Sequence, residues 1–275
     1  MIMMRPLNQL QQTIVNNLIH KVTYLPLRLE GTEVIETLDY VRIDCGLPAD
    51  TFNIIVFRGE ESTLSQEITT EIEAFLEKKF PMAVWCWDHL NHELDQELQE
   101  AGLQEAEINI AMVANLESSS PLLRLPEGLQ IKEAVTSDEI KQFGEVLSSL
   151  FGTSEEADHV RSFYSKVAAL PFEEDLLSNL YIAEYQGDVV TVGSLVFAED
   201  SVGFYDIATK EEYRGKGFGT AMFHYLLQEA QQRECKLGVL QASSDGLHIY
   251  AKAGFQPVGQ FKVFENRHLL EINTP

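Results

Sequence analysis

Between residues 203 and 220 the chain reads Gly-Phe-Tyr-Asp-Ile-Ala-Thr-Lys-Glu-Glu-Tyr-Arg-Gly-Lys-Gly-Phe-Gly-Thr: a strand-like apolar run, a charged turn and a glycine-rich loop that opens a helix. The chemistry these residues suit is the holding of phosphate. Arg214, Gly215, Lys216, Gly217 and Gly219 bring cations and bare backbone to the helix start, where unpaired N–H groups and the positive end of the helix dipole favour an anion. Glycine matters there because a side chain would hold the backbone away from the ligand. Spacing then separates the ligands. A nucleoside-triphosphate loop needs Gly-x4-Gly-Lys-Ser/Thr, whereas Lys216 lies inside the glycines and Thr220 follows Gly219 directly. A dinucleotide fingerprint needs Gly-x-Gly-x-x-Gly, but after Gly215 and Gly217 the third position falls on Thr220. Neither fits.

The pattern that fits is Arg-x-x-Gly-x-Gly, Arg214 to Gly219, on a strand-to-helix turn. It resembles the coenzyme A pyrophosphate loop of the GCN5-related N-acetyltransferases (GNAT). A helix is expected from about Phe218 to Arg233, then the short apolar strand Leu237-Gly-Val-Leu-Gln-Ala, then Ser243-Ser-Asp-Gly-Leu-His-Ile-Tyr-Ala-Lys-Ala-Gly-Phe255, which is similar to the second signature of that family. There Ser243 or Ser244 is expected to cap a short helix and Gly254 to close it in the left-handed conformation, with Phe255 folding back onto Tyr250.

The resemblance implies acetyl-CoA as cofactor and acetyl transfer to an amine. It implies that the backbone amides of Gly215, Gly217, Phe218, Gly219 and Thr220 wrap the pyrophosphate, with Lys216 either adding charge or pointing to solvent. By the same resemblance Ile207, Ala208 and Thr209, ending the preceding strand, pair with the pantetheine arm and offer an amide to the thioester oxygen. Tyr250 stands at the family's tyrosine, a general acid or sulfur contact. A phenol with an ordinary pKa of about 10 is protonated at neutral pH and needs no tuning to donate. Where some members carry a strand glutamate this chain has Gly203, so the carboxylates in or beside the right strands are Asp206 and Glu199, each either a base, an amine anchor or a solvated acid. The runner-up reading is a non-catalytic acyl-CoA binder that uses its N-terminal half for partner contacts.

The elements that must position these residues follow from periodicity. Leu116-Glu-Ser-Ser-Ser-Pro-Leu-Leu-Arg-Leu-Pro-Glu-Gly128 breaks any pattern, which places a linker at 117–128 between domains at 1–116 and 129–275. Beyond it come a strand at 129–135, a capped helix opening at Ser137-Asp-Glu, a second helix from about Glu155 to Leu170 and strands at 180–185, 189–197 and 202–209, joined by Gln186-Gly-Asp188 and Glu199-Asp-Ser turns. A closing hairpin is expected within Gln256 to Glu265. The first half reads as a helix near 7–19, strands at 37–43 and 53–57, a helix at 64–79, a strand at 82–87, a helix at 92–101 and a strand at 108–113. It resembles the degenerate N-terminal copy of two-domain GNAT members, in Phe80-Pro-Met-Ala-Val-Trp-Cys-Trp and Asp95-Gln-Glu-Leu-Gln-Glu-Ala-Gly-Leu103, but Arg58-Gly-Glu-Glu-Ser-Thr at the equivalent turn would repel pyrophosphate. The fold class expected is α/β with a mixed sheet, as tandem acyl-CoA N-acyltransferase folds.

Composition bounds the rest. The chain has 275 residues, 45% of them hydrophobic, enough for two cored domains. Formal charge is −23, with 8 basic against 21 acidic residues in 1–128 and 12 against 22 in 129–275. Such a surface disfavours nucleic acid and would draw in a cationic amine, small molecule or peptide. Cys45, Cys86 and Cys235 are too few and scattered for a disulfide framework, and no run reaches the roughly 18 apolar residues of a membrane span, so a cytoplasmic protein is expected. Cys86, His89, His92 and Glu93 cluster without a zinc spacing, and no metal is expected. His159, His224 and His248 are isolated.

Overall fold

The first helix begins where it does because Asn8 caps it. Asn8 Oδ1 accepts from the Gln11 N–H and Gln11 Oε1 accepts from the Asn8 N–H, both at 3.0 Å, a reciprocal capping box. In the computed structural model, which describes residues 8–59, 64–88, 92–117, 125–171, 178–243 and 246–271, the chain runs α1 (Gln9–Tyr24), β1 (Glu33–Glu36), β2 (Tyr40–Asp44), β3 (Ile54–Phe57), α2 (Gln66–Lys78), β4 (Ala83–Trp87), α3 (His92–Glu100) and β5 (Gln104–Asn115). It continues as β6 (Leu129–Glu133), α4 (Ser137–Ser148), α5 (Glu155–Val167), β7 (Ser178–Tyr185), β8 (Asp188–Ala198), β9 (Ser201–Thr209), α6 (Phe218–Gln232), β10 (Leu237–Ala242), α7 (Leu247–Lys252), β11 (Gln256–Glu265) and α8 (Arg267–Glu271). Two compact units result, one of Met1–Met112, Gln241–Asp245 and Pro257–Pro275, the other of Val113–Leu240 and Gly246–Gln256. Most of the expected linker, residues 118–124, lies outside the described residues, as do Ser244, His89 and the Glu60-Glu-Ser-Thr63 part of the first-half turn.

In the first unit β1, β2 and β3 pair antiparallel in turn, β3 pairs parallel with β4, and β4 antiparallel with β11. The expected C-terminal hairpin is therefore replaced by one extended strand, with Phe261 opposite Trp87 and Glu265 opposite Ala83. Gly259 makes no turn there. A Cβ on it would run into the Trp87 indole, so glycine serves close approach instead of reversal. Asn266 then fastens the strand end, its Oδ1 accepting from the Met82 N–H and its Nδ2 donating to Phe80 O, each at 2.9 Å. β1, which alternation did not reveal in the short run Glu-Val-Ile-Glu, is held by an ion pair between Glu33 and the buried Arg42.

In the second unit β6, β7, β8 and β9 pair antiparallel in order and β9 pairs parallel with β10. The cap of α4 is Thr136, one residue earlier than expected, in a capping box with Glu139. Lys132 also reaches Glu139 at 2.9 Å. Burial alone would raise the Glu139 carboxyl, but the bonds from Lys132, Thr136 and Val135 outweigh it and hold the carboxyl down to about 2. Helices α4 and α5 cross where Gly144 faces Tyr164, a fully buried ring that also meets Phe143 at 5.0 Å and Phe163 at 5.5 Å.

Gly144→Ala decides between two effects of opposite sign. Alanine in a helix interior usually gains roughly 1 kcal/mol over glycine, but here its Cβ would lie 2.5 Å from Tyr164 Cβ. Overpacking of this kind costs about 1–3 kcal/mol, so urea denaturation should show Gly144→Ala less stable than the parent.

Candidate functional site

The site begins with a register shift. Along β8 and β9, Val192 faces Ala208 while Ser194 faces Tyr205, so two steps on β8 are matched by three on β9. The extra residue makes a β-bulge opposite Gly193, and Asp206 turns through it at φ +54°, a left-handed conformation that aspartate tolerates better than most residues. Gly193 lets α6 come close, since a Cβ there would lie 2.9 Å from Leu226 Cδ1, 3.1 Å from Met222 Cγ and 3.3 Å from Ile207 Cγ1. The Asp206 carboxylate accepts a hydrogen bond from Ser194 Oγ at 2.7 Å.

Past the bulge, β9 is fastened on one side only. The buried Thr191 donates from Oγ1 to Ala208 O at 2.7 Å and lies 2.9 Å from Thr209 Oγ1, and the Lys210 N–H reaches Val190 O at 3.0 Å. On the other side β10 pairs with β9 only at Val202 and Gly203. Ile207, Ala208 and Thr209 therefore lie beyond the last β10 pairing, on a stretch of the β9 edge with no strand partner opposite β8 among the described residues.

Thr209 leads into the glycine loop. Gly215 and Gly217 take φ of +75° and +81°, and a Cβ on either would meet nothing within 4 Å, so the loop is open to its surroundings and glycine is needed for conformation alone. Gly217 is the N-cap of α6 and offers no capping side chain, while the first internal bond runs from the Ala221 N–H to Gly217 O at 2.9 Å. The amides of Phe218, Gly219 and Thr220 thus lack acceptors within the helix. Phe218 contributes only backbone to this opening, since its ring is buried 5.0 Å from Tyr185 and 6.3 Å from Tyr213. Arg214 is exposed and its Nε donates to Thr209 O at 3.2 Å, tying the loop to the strand end. Lys216 is also exposed, but it turns back, donating to Glu212 O at 3.2 Å with its ammonium 4.6 Å from the Tyr213 ring centre. Gly219 passes close to Thr209, whose Oγ1 would be 3.1 Å from an added Cβ.

Tyr250 lies on α7, whose end is a Schellman motif: the Phe255 N–H bonds to Tyr250 O and the Gly254 N–H to Ala251 O, both at 3.1 Å, with Gly254 at φ +94°. Phe255 folds back as expected, although it meets the Tyr250 backbone, and its ring packs on Phe204 and Phe223. The N-cap is Gly246 with no side-chain bond, so Ser243 does not cap this helix. A glycine is needed there because the Tyr250 ring lies against it, its Cε2 2.8 Å from an added Cβ. On its other side the ring meets Phe223 of α6 edge-on at 4.9 Å. Burial pushes the Tyr250 phenol above its ordinary value, which keeps it a proton donor.

The structure brings Asp206, the β9 end, the loop and the start of α6 into one continuous run, with Tyr250 joined to it through Phe223. It does not bring Glu199. That residue is exposed in the β8–β9 turn, and eight strand steps of about 3.3 Å separate the far end of β9 from Thr209. Cys86 is buried, with Sγ 3.7 Å from Lys262 O, and burial together with the Asp95 carboxylate pushes its thiol up to about 12, an inert group. No metal-binding cluster is found among the described residues, and no described helix is long and apolar enough to cross a membrane. His248 is exposed and His224 is held neutral by burial. Sequence reading passed over Thr191, Ser194 and Gly193. The signal was present, since two hydroxyls and a glycine interrupt an otherwise aliphatic buried strand.

Residues 177–257 match the family model of the acetyltransferase (GNAT) domain. No curated protein sequence matches the chain. Among solved structures it is similar to a GCN5-related N-acetyltransferase from Kribbella flavida, at 14% identity and TM-score 0.65 over 92% of this chain and 94% of that one. A tandem GNAT protein from the clavulanic acid biosynthesis pathway aligns at 12% identity and TM-score 0.56, covering 96% and 97%. A GCN5-related N-acetyltransferase-like protein from Streptococcus suis 89/1591 aligns at 13% identity and TM-score 0.56, covering 94% and 99%. At these identities the likeness is one of fold, and it extends over both halves of the chain.

The position of the Tyr250 phenol can be checked directly. Because burial raises its pKa, the ultraviolet tyrosinate titration of Tyr250→Phe should overlay that of the parent below about pH 10 and differ only above it. An ionisation missing from the variant at lower pH would place Tyr250 in an environment unlike the one described.

Proposed function

Since residues 177–257 match the family model of the acetyltransferase (GNAT) domain, we propose that this protein is an acetyl-CoA-dependent N-acetyltransferase that passes the acetyl group to a primary amine by direct attack in a ternary complex. One observation carries the reading: an uncapped helix start behind left-handed glycines adjoins the strand end Ile207 to Thr209, which lies beyond the last β10 pairing at Gly203. Acetyl-CoA supplies the thioester. The amides of Gly215, Gly217, Phe218, Gly219 and Thr220 would hold its pyrophosphate at the positive end of α6, with Arg214 and Lys216 as the nearby cations. Ile207, Ala208 and Thr209 would receive the pantetheine arm as an added strand and offer an N–H to the thioester oxygen.

The remaining steps move protons. An alkylamine arrives charged, and Asp206 would anchor it or accept its proton. As the new N–C bond forms and the C–S bond breaks, Tyr250 would give its proton to the departing thiolate. Two of the cysteines, Cys45 and Cys86, are buried, and burial raises the thiol of the third, Cys235, which favours direct transfer over an acyl-enzyme. The acidic surface favours a cationic acceptor and no nucleic acid partner.

A second reading, an acyl-CoA binder without turnover, draws support from Gly203, which pairs with Val196 and Val239 where a strand glutamate would serve as base. Turnover separates the two. Calorimetry with acetyl-CoA should give a Kd on the order of micromolar, abolished in an Arg214→Glu and Gly217→Glu double variant. With an amine acceptor present, Tyr250→Phe should keep that affinity and lower kcat about 100-fold or more. Binding without thiol release from any amine would select the sensor reading, and no binding at all would remove both.

A further inference from the structure

Ser194 is fully buried in the middle of β8, where a hydroxyl stripped of water must find a partner. Its partner is Asp206, the residue that makes the left-handed turn of the bulge, through a bond of 2.7 Å. Strand alternation fixes the side on which they meet. A Cβ on Gly193 would point at Leu226 and Met222 of α6, so the next residue, Ser194, faces away from α6. Tyr164 of α5 lies near enough that the Asp206 charge adds to burial in keeping its phenol protonated. The carboxylate therefore stands on the α5 side of the sheet, while the Ile207 side chain just after it faces α6.

Resting on the proposed function above, we propose that Ser194 is a positioning residue which fixes the Asp206 carboxylate on the α5 side of the bulge, so that Asp206 captures the acceptor as a protonated primary alkylamine. A hydroxyl-to-carboxylate bond is of the strong, charge-assisted kind and sets the plane of the carboxylate. The bond from Ser194 takes one of the about four lone-pair directions of a carboxylate and orients the group. An alkylamine with a pKa of about 10 arrives at neutral pH as the cation that such a group selects. One ammonium proton then passes to Asp206, the neutral nitrogen forms its bond to the acetyl carbon and sheds a second proton to solvent, the C–S bond breaks, and the thiolate takes the Tyr250 proton; Asp206 afterwards releases its proton to solvent and Tyr250 regains one from it.

The test uses the full chain and three amines, spermidine, Nα-blocked lysine and an alanyl peptide, with thiol release and acetyl-CoA calorimetry measured side by side. Ser194→Ala should raise the KM of the accepted amine about tenfold, the size expected for a lost bond to a charged group, with a smaller change in kcat and an unchanged acetyl-CoA affinity. Ser194→Thr, which keeps the hydroxyl, should restore the KM. Asp206→Asn keeps a residue suited to the left-handed turn and should lose amine binding at least as fully. An unchanged KM in Ser194→Ala, or a loss that threonine fails to restore and that tracks thermal stability, would overturn the positioning role. A parent protein that binds acetyl-CoA yet acetylates none of the amines would overturn the alkylammonium assignment alone. One that binds no acetyl-CoA would remove the proposed function and this inference with it.

Discussion

One extra residue in β9 is the constraint on which the site depends. Without it, β8 and β9 would keep one register from Ala198 and Ser201 to Thr191 and Thr209, and Asp206 would sit in ordinary alternation. With it, the strand bends and twists locally, the Asp206 side chain meets Ser194, and the run from Ile207 to Thr209 emerges beyond the last pairing with β10. Opposite the bulge stands Gly193, where α6 approaches the strand so closely that Leu226 and Met222 occupy the space of a side chain. The same helix presents uncapped amides at its start, so one element positions both ends of the candidate site.

The first unit shows what that constraint is worth by lacking it. There too an antiparallel run, β1 to β3, is followed by a helix and a parallel strand, β4. Yet β2 and β3 keep one register from Tyr40 and Phe57 to Ile43 and Ile54, with no inserted residue. β4 also accompanies β3 through Val56, one residue from its end, so no strand edge is released for an extended ligand. Arg58, at the position where the second unit turns into its loop, is engaged by Glu36 at 2.7 Å. The same order of elements gives a closed sheet in one unit and an opened one in the other.

Most of the second unit was legible because its signals are local. The glycine spacing, the left-handed Gly254 and the helix from Phe218 follow from backbone rules that one sequence displays. What escaped reading was cooperative. Nothing near Asp206 announces an inserted residue, since a bulge is a property of two strands, and only the polar interruptions Thr191 and Ser194 on the partner hint at it. Glu199 was plausible by proximity in sequence, and the structure sets it in the β8–β9 turn, at the opposite end of β9 from Thr209. β11 was legible as β but not as a single strand, because whether Gly259 turns or yields space is decided by Trp87, far away in the chain. Thr136 rather than Ser137 caps α4 for a smaller reason of the same kind: Glu139 stands three residues after threonine and completes the reciprocal bond.

The charge balance sets a further condition on how such a site can act. A chain of formal charge −23 opposes the approach of a polyanion, but screening confines that opposition to about 8 Å at physiological ionic strength. Within that range the loop presents helix amides, Arg214 and Lys216. Both cations are committed to carbonyl oxygens, Thr209 O and Glu212 O, rather than to carboxylates. A carbonyl orients a cation without neutralising it, so the positive charge remains available to a phosphate. For a cationic amine the long-range field has the opposite effect and favours approach, and the bulge presents a carboxylate where the strand edge opens. Under the proposed function one acidic surface would therefore serve the two ligands differently: the anion would be held by local geometry alone, whereas the amine would be favoured by both the field and its end point.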